Sequence, residues 1–170
     1  YEWGCFEEYV DGADGTSIGT GYQNTMDIIY QGCATENGGI TAAQAALDTE
    51  INGYSDWFLP SKDELLEMYY TIGNGGSEGN IGGFETSDFP YYWSSSEFEH
   101  SNDAWTVYFS NGSTYSNWKK GIYRVRVIRA FGYTSQGCID ENACNYNPEA
   151  NMADGSCYNN DLGCGCDTPA

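Results

Sequence analysis

The cysteines of this 170-residue chain are unevenly spread: Cys5 and Cys33 are alone in the first 131 residues, whereas Cys138, Cys144, Cys157, Cys164 and Cys166 crowd into the last 39. Seven cysteines at this length point to an oxidising compartment, because reduced compartments seldom carry so many outside metal or redox sites. A zinc site needs several closely spaced Cys and His ligands, and the chain offers a single histidine, His100, and irregular cysteine spacing. The two early cysteines pair naturally as Cys5–Cys33, anchoring the N-terminal segment and adding about 2–4 kcal/mol; two free thiols are the alternative. Disulfides are expected at Cys138, Cys144 and Cys157 as well, but five is an odd number, and spacing does not fix their connectivity.

Composition breaks at the same place. After Gly132 the chain is rich in Asn and Asp and has no Lys or Arg. A main domain over residues 1–131 and a Cys-rich, Asn/Asp-rich module over 132–170 are therefore expected, with the boundary between about Phe131 and Gly137. The start, Tyr1-Glu2-Trp3-Gly4-Cys5, does not read as a signal peptide, so either the signal has been removed or the chain is part of a longer one. A formal charge of −19 repels phosphates and anionic lipid, which argues against nucleic acid as a partner. No apolar run approaches the roughly 20 residues that span a bilayer, which argues against membrane insertion.

Two short helices are expected in the main domain. Thr41 is placed to cap an Ala-rich run to Ile51, and Ser61-Lys62-Asp63-Glu64 is a capping box opening a helix to about Ile72. The second carries Leu65, Met68, Tyr69 and Ile72 at helical spacing, an apolar stripe for a core, with Asp63, Glu64 and Glu67 on its solvated side. The Gly-rich stretch from Gly73 to Gly83 reads as a mobile loop. Strand-like runs follow at Tyr91–Ser95, Ala104–Ser110 and Tyr123–Phe131, with Asn111-Gly112 as a hairpin signal after the second. Helices first and antiparallel strands after them give an α+β fold with helices packed on a sheet.

Three blocks carry a resemblance: Asp56-Trp57-Phe58-Leu59-Pro60-Ser61-Lys62-Asp63-Glu64-Leu65, Tyr92-Trp93-Ser94-Ser95-Ser96-Glu97 and Tyr123-Arg124-Val125-Arg126-Val127-Ile128-Arg129-Ala130-Phe131. With Trp3-Gly4-Cys5, Gly19-Thr20-Gly21 and Gln23-Asn24-Thr25, the sequence over about residues 3 to 131 resembles the Lcl C-terminal domain family of bacterial collagen-like adhesins and their relatives. The resemblance implies a C-type-lectin-like fold related to the formylglycine-generating enzymes, a place at the bacterial cell surface or outside the cell, and attachment through ligand binding. The tail resembles a short Cys-rich module found near the C-terminal ends of large secreted bacterial proteins, and against that resemblance its end at Cys164, Cys166 and Ala170 reads as cut within a repeat, as in a fragment of a long multi-module protein.

Phe98 to Tyr123 also resembles the variable region of proteins diversified by retroelements, in which Trp-Ser-Ser-Ser-Glu and Arg-Val-Arg bracket exposed positions. Those positions, the candidate ligand contacts, hold Glu99, His100, Asn102, Asp103, Trp105, Tyr108, Ser113, Tyr115, Asn117 and Trp118. Rigid aromatics give contact area at low entropic cost, and small polar groups give adaptable hydrogen bonds. Trp105, Tyr115 and Trp118 suit sugar stacking or a protein hot spot, whereas Trp57 and Trp93 read as framework.

Five of the six basic residues, Lys119, Lys120, Arg124, Arg126 and Arg129, fall within eleven positions. They offer a basic spot for an acidic sugar; the structural reading, preferred for the arginines, puts Arg124 and Arg126 on one strand face, paired with carboxylates such as Glu97. Sulfated glycosaminoglycans, which the resemblance implies for collagen-like adhesins, call for a broadly basic face that this acidic chain lacks. Asp140, Asn142, Asn145, Asn147 and Asp154 supply the oxygen donors Ca²⁺ prefers, but their spacing is not that of an EF-hand, which favours solvated turn residues.

His100 has no Ser or Cys nucleophile pattern near it. Cys5 and Cys33 lie outside the C-terminal strand region where formylglycine-generating chemistry would place a reactive pair. The expectation is a binding domain and not an enzyme, with a glycan or cell-surface protein as partner. The alternative is a structural subunit that self-associates in a filament or oligomer.

Overall fold

A computed structural model of the chain describes residues 1–130, 136–138, 143–147, 152–153 and 155–158. Contacts divide it into two compact units, Tyr1–Arg129 and Ala130–Ala170. The first is α+β, with three helices and a three-stranded antiparallel sheet.

The helices are α1 (Gly21–Tyr30), α2 (Ala42–Leu47) and α3 (Lys62–Thr71), one more than the sequence led us to expect. Thr41 caps α2 by accepting from the Gln44 N–H at 3.1 Å. The helix stops at Leu47, short of the expected Ile51, and Asn52-Gly53 turns the chain between Ile51 and Tyr54. The Ser61/Glu64 capping box opens α3, and Leu65 and Tyr69 are buried on its inner face. Helix α1 starts at Gly21, where a Cβ would lie 2.2 Å from the Glu64 carboxylate and 2.7 Å from the Ser61 nitrogen. Only glycine lets these two helix starts approach so closely.

Strands β1 (Tyr91–Glu97), β2 (Asp103–Tyr108) and β3 (Ser113–Trp118) pair in that order. Tyr91 faces Tyr108 and Trp93 faces Thr106 across the first ladder; Asp103 faces Trp118 and Thr106 faces Tyr115 across the second. Phe109 to Gly112 form the β2–β3 loop, where the Gly112 N–H donates to Tyr108 O at 2.8 Å and the Ser113 N–H to Asn111 Oδ1 at 2.9 Å. The expected third run, from Tyr123, forms no continuous strand. It touches the framework through two bridges, Tyr92 with Arg124 and Phe58 with Ile128.

Because side chains alternate along a strand, the sheet separates two apolar clusters. Trp93 and Ala104 join Trp3, Val10, Ile28, Leu59 and the alanines of α2. Tyr92, Val107 and Phe109 join Leu65, Tyr69 and Phe84, with Met68 and Ile72 packed alongside. The Gly-rich stretch folds into successive turns, tied back by the Gly82 N–H to Ile72 O at 2.7 Å. A disulfide joins Cys5 and Cys33, as the sequence led us to expect.

In the second unit, β4 (Gln136–Gly137) and β5 (Met152–Ala153) pair in parallel, and Cys138 is bonded to Cys157. Cys144 is disulfide-bonded too.

Candidate functional site

The segment Trp93-Ser94-Ser95-Ser96-Glu97 is a polar knot at the centre of the first unit. All three serines are fully buried, which costs free energy unless every polar atom is paired. The pairing comes from far along the chain. Trp3 Nε1 donates to Ser94 O at 2.9 Å, Ser94 Oγ to Trp105 O at 2.8 Å, and Ser96 Oγ to Gly15 O at 2.7 Å. Register slips between Trp93 and Glu97, and the backbone N–H groups of Ser95 and Glu97 turn to Pro60 O and Ala13 O, each at 2.7 Å.

Glu97 is not paired with Arg124 or Arg126, as expected from the sequence, but with Lys119. Both side chains are buried, at 0% exposure for Lys119 and 4% for Glu97. Burial pushes the Glu97 carboxyl up and the Lys119 ammonium down, and the contact between them opposes both shifts. The ammonium also donates to Glu8 O at 2.6 Å and Cys5 O at 3.3 Å, so its three N–H bonds have three acceptors, and the Trp3 ring lies 4.8 Å from it. The arginines serve as backbone and ring clasps. Arg124 donates to Phe89 O at 3.1 Å, Arg126 donates to Gly82 O and lies over Phe84 at 4.7 Å, and Arg129 meets Asp56 at 2.9 Å. Arg124 and Arg126 sit in a bridging segment between loops, where they meet carbonyls and a ring, and Glu97 accepts from the Val10 N–H in the N-terminal turn.

Upon this frame stand the ten candidate contacts, and strand alternation divides them. Trp105 lies on one side of β2 and packs edge-on to Phe98, with ring centroids 4.7 Å apart. With Tyr9, Asp11, Asp14, Lys62 and Glu99 it lines an acidic cleft of about 650 Å³. Tyr9 reaches across it to donate to Glu99 O at 2.8 Å, and the Lys62 ammonium stands 5.7 Å from the Trp105 ring centroid. His100 is exposed beside Phe98, and Asn102 O accepts from the Lys119 N–H at 2.8 Å.

Tyr108, Ser113 and Tyr115 lie on the opposite side. The two tyrosines cluster with Tyr91, whose ring is 4.7 Å from Tyr108, 5.7 Å from Tyr115 and 5.3 Å from Tyr123. Burial pushes the Tyr91 and Tyr123 phenols up from their ordinary range. Asp103, Asn117 and Trp118 meet at the end of the ladder, where with Ser116, Lys120 and Tyr123 they line a second cleft of about 340 Å³.

The contributions of Tyr9, Asp11, Asp14, Lys62, Tyr91 and Tyr123 were not read from the sequence. Tyr9, Asp11, Asp14, Lys62 and Tyr91 meet the hairpin and its flanking loops across long sequence separations, and Tyr123 folds back on Asn117 from six residues on.

Of the candidate calcium donors, Asp140, Asn142 and Asp154 lie outside the described residues. Asn145 accepts from the Tyr158 N–H at 3.0 Å and donates to Ser156 O at 2.7 Å, and the Asn147 N–H donates to Cys138 O at 2.8 Å. No cluster of His, Cys, Asp or Glu able to hold a metal is found among the described residues, and no helix among them is long and apolar enough to cross a membrane.

Neither the curated proteins nor the solved structures give a match to this chain. The model of the Lcl C-terminal domain matches residues 19–129, more than half of the sequence, taking in α1, the capping box, the serine knot and the arginine clasps. The chain belongs to the Lcl C-terminal domain family.

Proposed function

We propose that the first unit is a non-catalytic extracellular recognition domain of C-type-lectin-like architecture. It belongs to a larger bacterial surface or secreted protein and binds a glycan or a protein through the β2–β3 hairpin and its flanking loops. The observation that carries this reading is the contrast between frame and hairpin. The frame is disulfide-clamped and paired through buried hydrogen bonds, whereas the hairpin leaves Tyr115 43% and Trp118 62% exposed among small polar side chains. Rigid aromatics on a fixed scaffold lose little entropy on binding. Disulfides in both units are consistent with a place outside the cell.

A glycan-array and cell-surface binding screen of the intact chain tests this, beside Trp105→Ala, Tyr115→Ala and Trp118→Ala. Saturable binding that one or more of these folded variants abolishes is the expected result; binding unchanged in all three sinks the reading. The tyrosine cluster would also suit packing against a second copy. A molar mass that rises with concentration, and falls back in Tyr115→Ala, would favour a structural subunit.

A further inference from the structure

We propose that the cleft at the end of the β2–β3 ladder is a subsite for one neutral pyranose ring, held between the Asp103 carboxylate and the Trp118 indole. The inference rests on the recognition reading above and fixes its ligand class and its place.

The first argument is an orphaned acceptor. Oδ1 of Asp103 is buried with no hydrogen-bond partner among the described residues, and Asp103 lines the cleft. A desolvated carboxylate oxygen is costly to leave unpaired. Oδ1 is closed to solvent, and the other carboxylate oxygen, not buried and likewise without a hydrogen bond among the described residues, is the acceptor that a sugar hydroxyl in the cleft can reach.

The second argument is the platform. Trp118 is 62% exposed, yet its ring is held by Phe6, at 6.4 Å between centroids, and by the Lys120 ammonium at 5.0 Å. An indole fixed in place and open to solvent is the surface on which the C–H face of a pyranose stacks. The walls are similarly fixed. Asn117 Nδ2 donates to Thr106 Oγ1 at 2.7 Å, and its Oδ1 accepts from the Tyr123 hydroxyl at 3.2 Å, so Asn117 and Tyr123 shape the cleft, and Ser116 and Lys120 remain to contact a guest.

Charge and size select among polar guests. Asp103 and Lys120 bring one charge of each sign to the cleft, which favours neither an anionic nor a cationic ring. Lys119 is spent on Glu97, Glu8 and Cys5. At about 340 Å³ the space is at the small end of ligand clefts, enough for one ring and not for several.

The test is a titration of the intact chain with methyl glucoside, methyl galactoside, methyl mannoside and methyl N-acetylglucosaminide, followed by backbone and indole amide shifts. At least one should give weak, saturable shifts centred on Ser116, Trp118 and Lys120. Asp103→Ala and Trp118→Ala should each weaken it by about tenfold or more, and Tyr30→Ala, exposed on α1 outside the hairpin, should leave it unchanged. Trp118 is exposed, so its variant keeps the test open even if Asp103→Ala unfolds. Shifts centred on Trp105 or Tyr115 would overturn the subsite and leave the recognition reading intact. Silence from all four glycosides also overturns it; a cell-surface partner still captured by the hairpin would then show that recognition survives, and no capture would mean that both ideas fail.

Discussion

The ammonium of Lys119, one residue past the end of β3, is buried against the carboxylate of Glu97, the last residue of β1. The pair closes the base of the hairpin and, through Glu8 O, Cys5 O and the Val10 N–H, ties it to the N-terminal turn. Removing one partner leaves the other charged and desolvated. Lys119→Met or Glu97→Gln should therefore cost about 3–5 kcal/mol in urea unfolding, and the double variant should recover part of that loss. Equal and additive losses would show that the two side chains do not act together.

The Cys5–Cys33 bond fixes the same turn from the other side. Cys5→Ala with Cys33→Ala should lower stability by about 2–4 kcal/mol in the oxidised protein. A reductant should reproduce that loss in the native chain and leave the double variant's main domain unaffected.

Glu2 governs part of the acid response. Burial alone would raise its carboxyl, but hydrogen bonds from the Asn37 side chain and from the Glu36 and Asn37 N–H groups outweigh burial and hold it below the usual range. A depressed folded-state value means that its contribution is fully present above the unfolded carboxylate value. That contribution is lost as pH falls through the lower folded one. Urea midpoints followed down through the acid range should fall more steeply in the native chain than in Glu2→Gln.

Gly112 has a φ of 76°, and a Cβ there would lie 2.4 Å from the Tyr69 ring. Gly112→Ala should cost at least about 1–2 kcal/mol from the left-handed backbone alone, read as a lower melting temperature. An unchanged melting temperature would mean that the loop relaxes away from α3.

Local chemistry explains which parts of this architecture are legible in sequence. The α3 capping box, the α2 cap at Thr41 and the Asn111-Gly112 turn announce themselves, because their partners lie within a few residues. Helix α1 does not. Its buried face is Gly21, Asn24, Thr25 and Ile28, and the two polar residues are accepted there only because Asn24 reaches Gly15 O and Thr25 reaches Leu59 O. No periodicity of apolar residues survives such a substitution of distant hydrogen bonds for hydrophobic contact. Lys119 and Lys120 are neighbours of one residue type, and nothing local says that the first is sealed in the core and the second lies over Phe6 and Trp118. For the same reason the residue types of the ten candidate contacts could be read from the sequence, and their division among surfaces could not.

That division has a consequence for how such a domain changes over time. Trp105 and Tyr108 are three residues apart on β2, yet the strand sends them to opposite sides of the sheet. An exchange at one remodels its own surface and leaves the other untouched. The two sides of the hairpin can therefore accumulate changes independently, the shape of one setting no limit on the residues that the other admits.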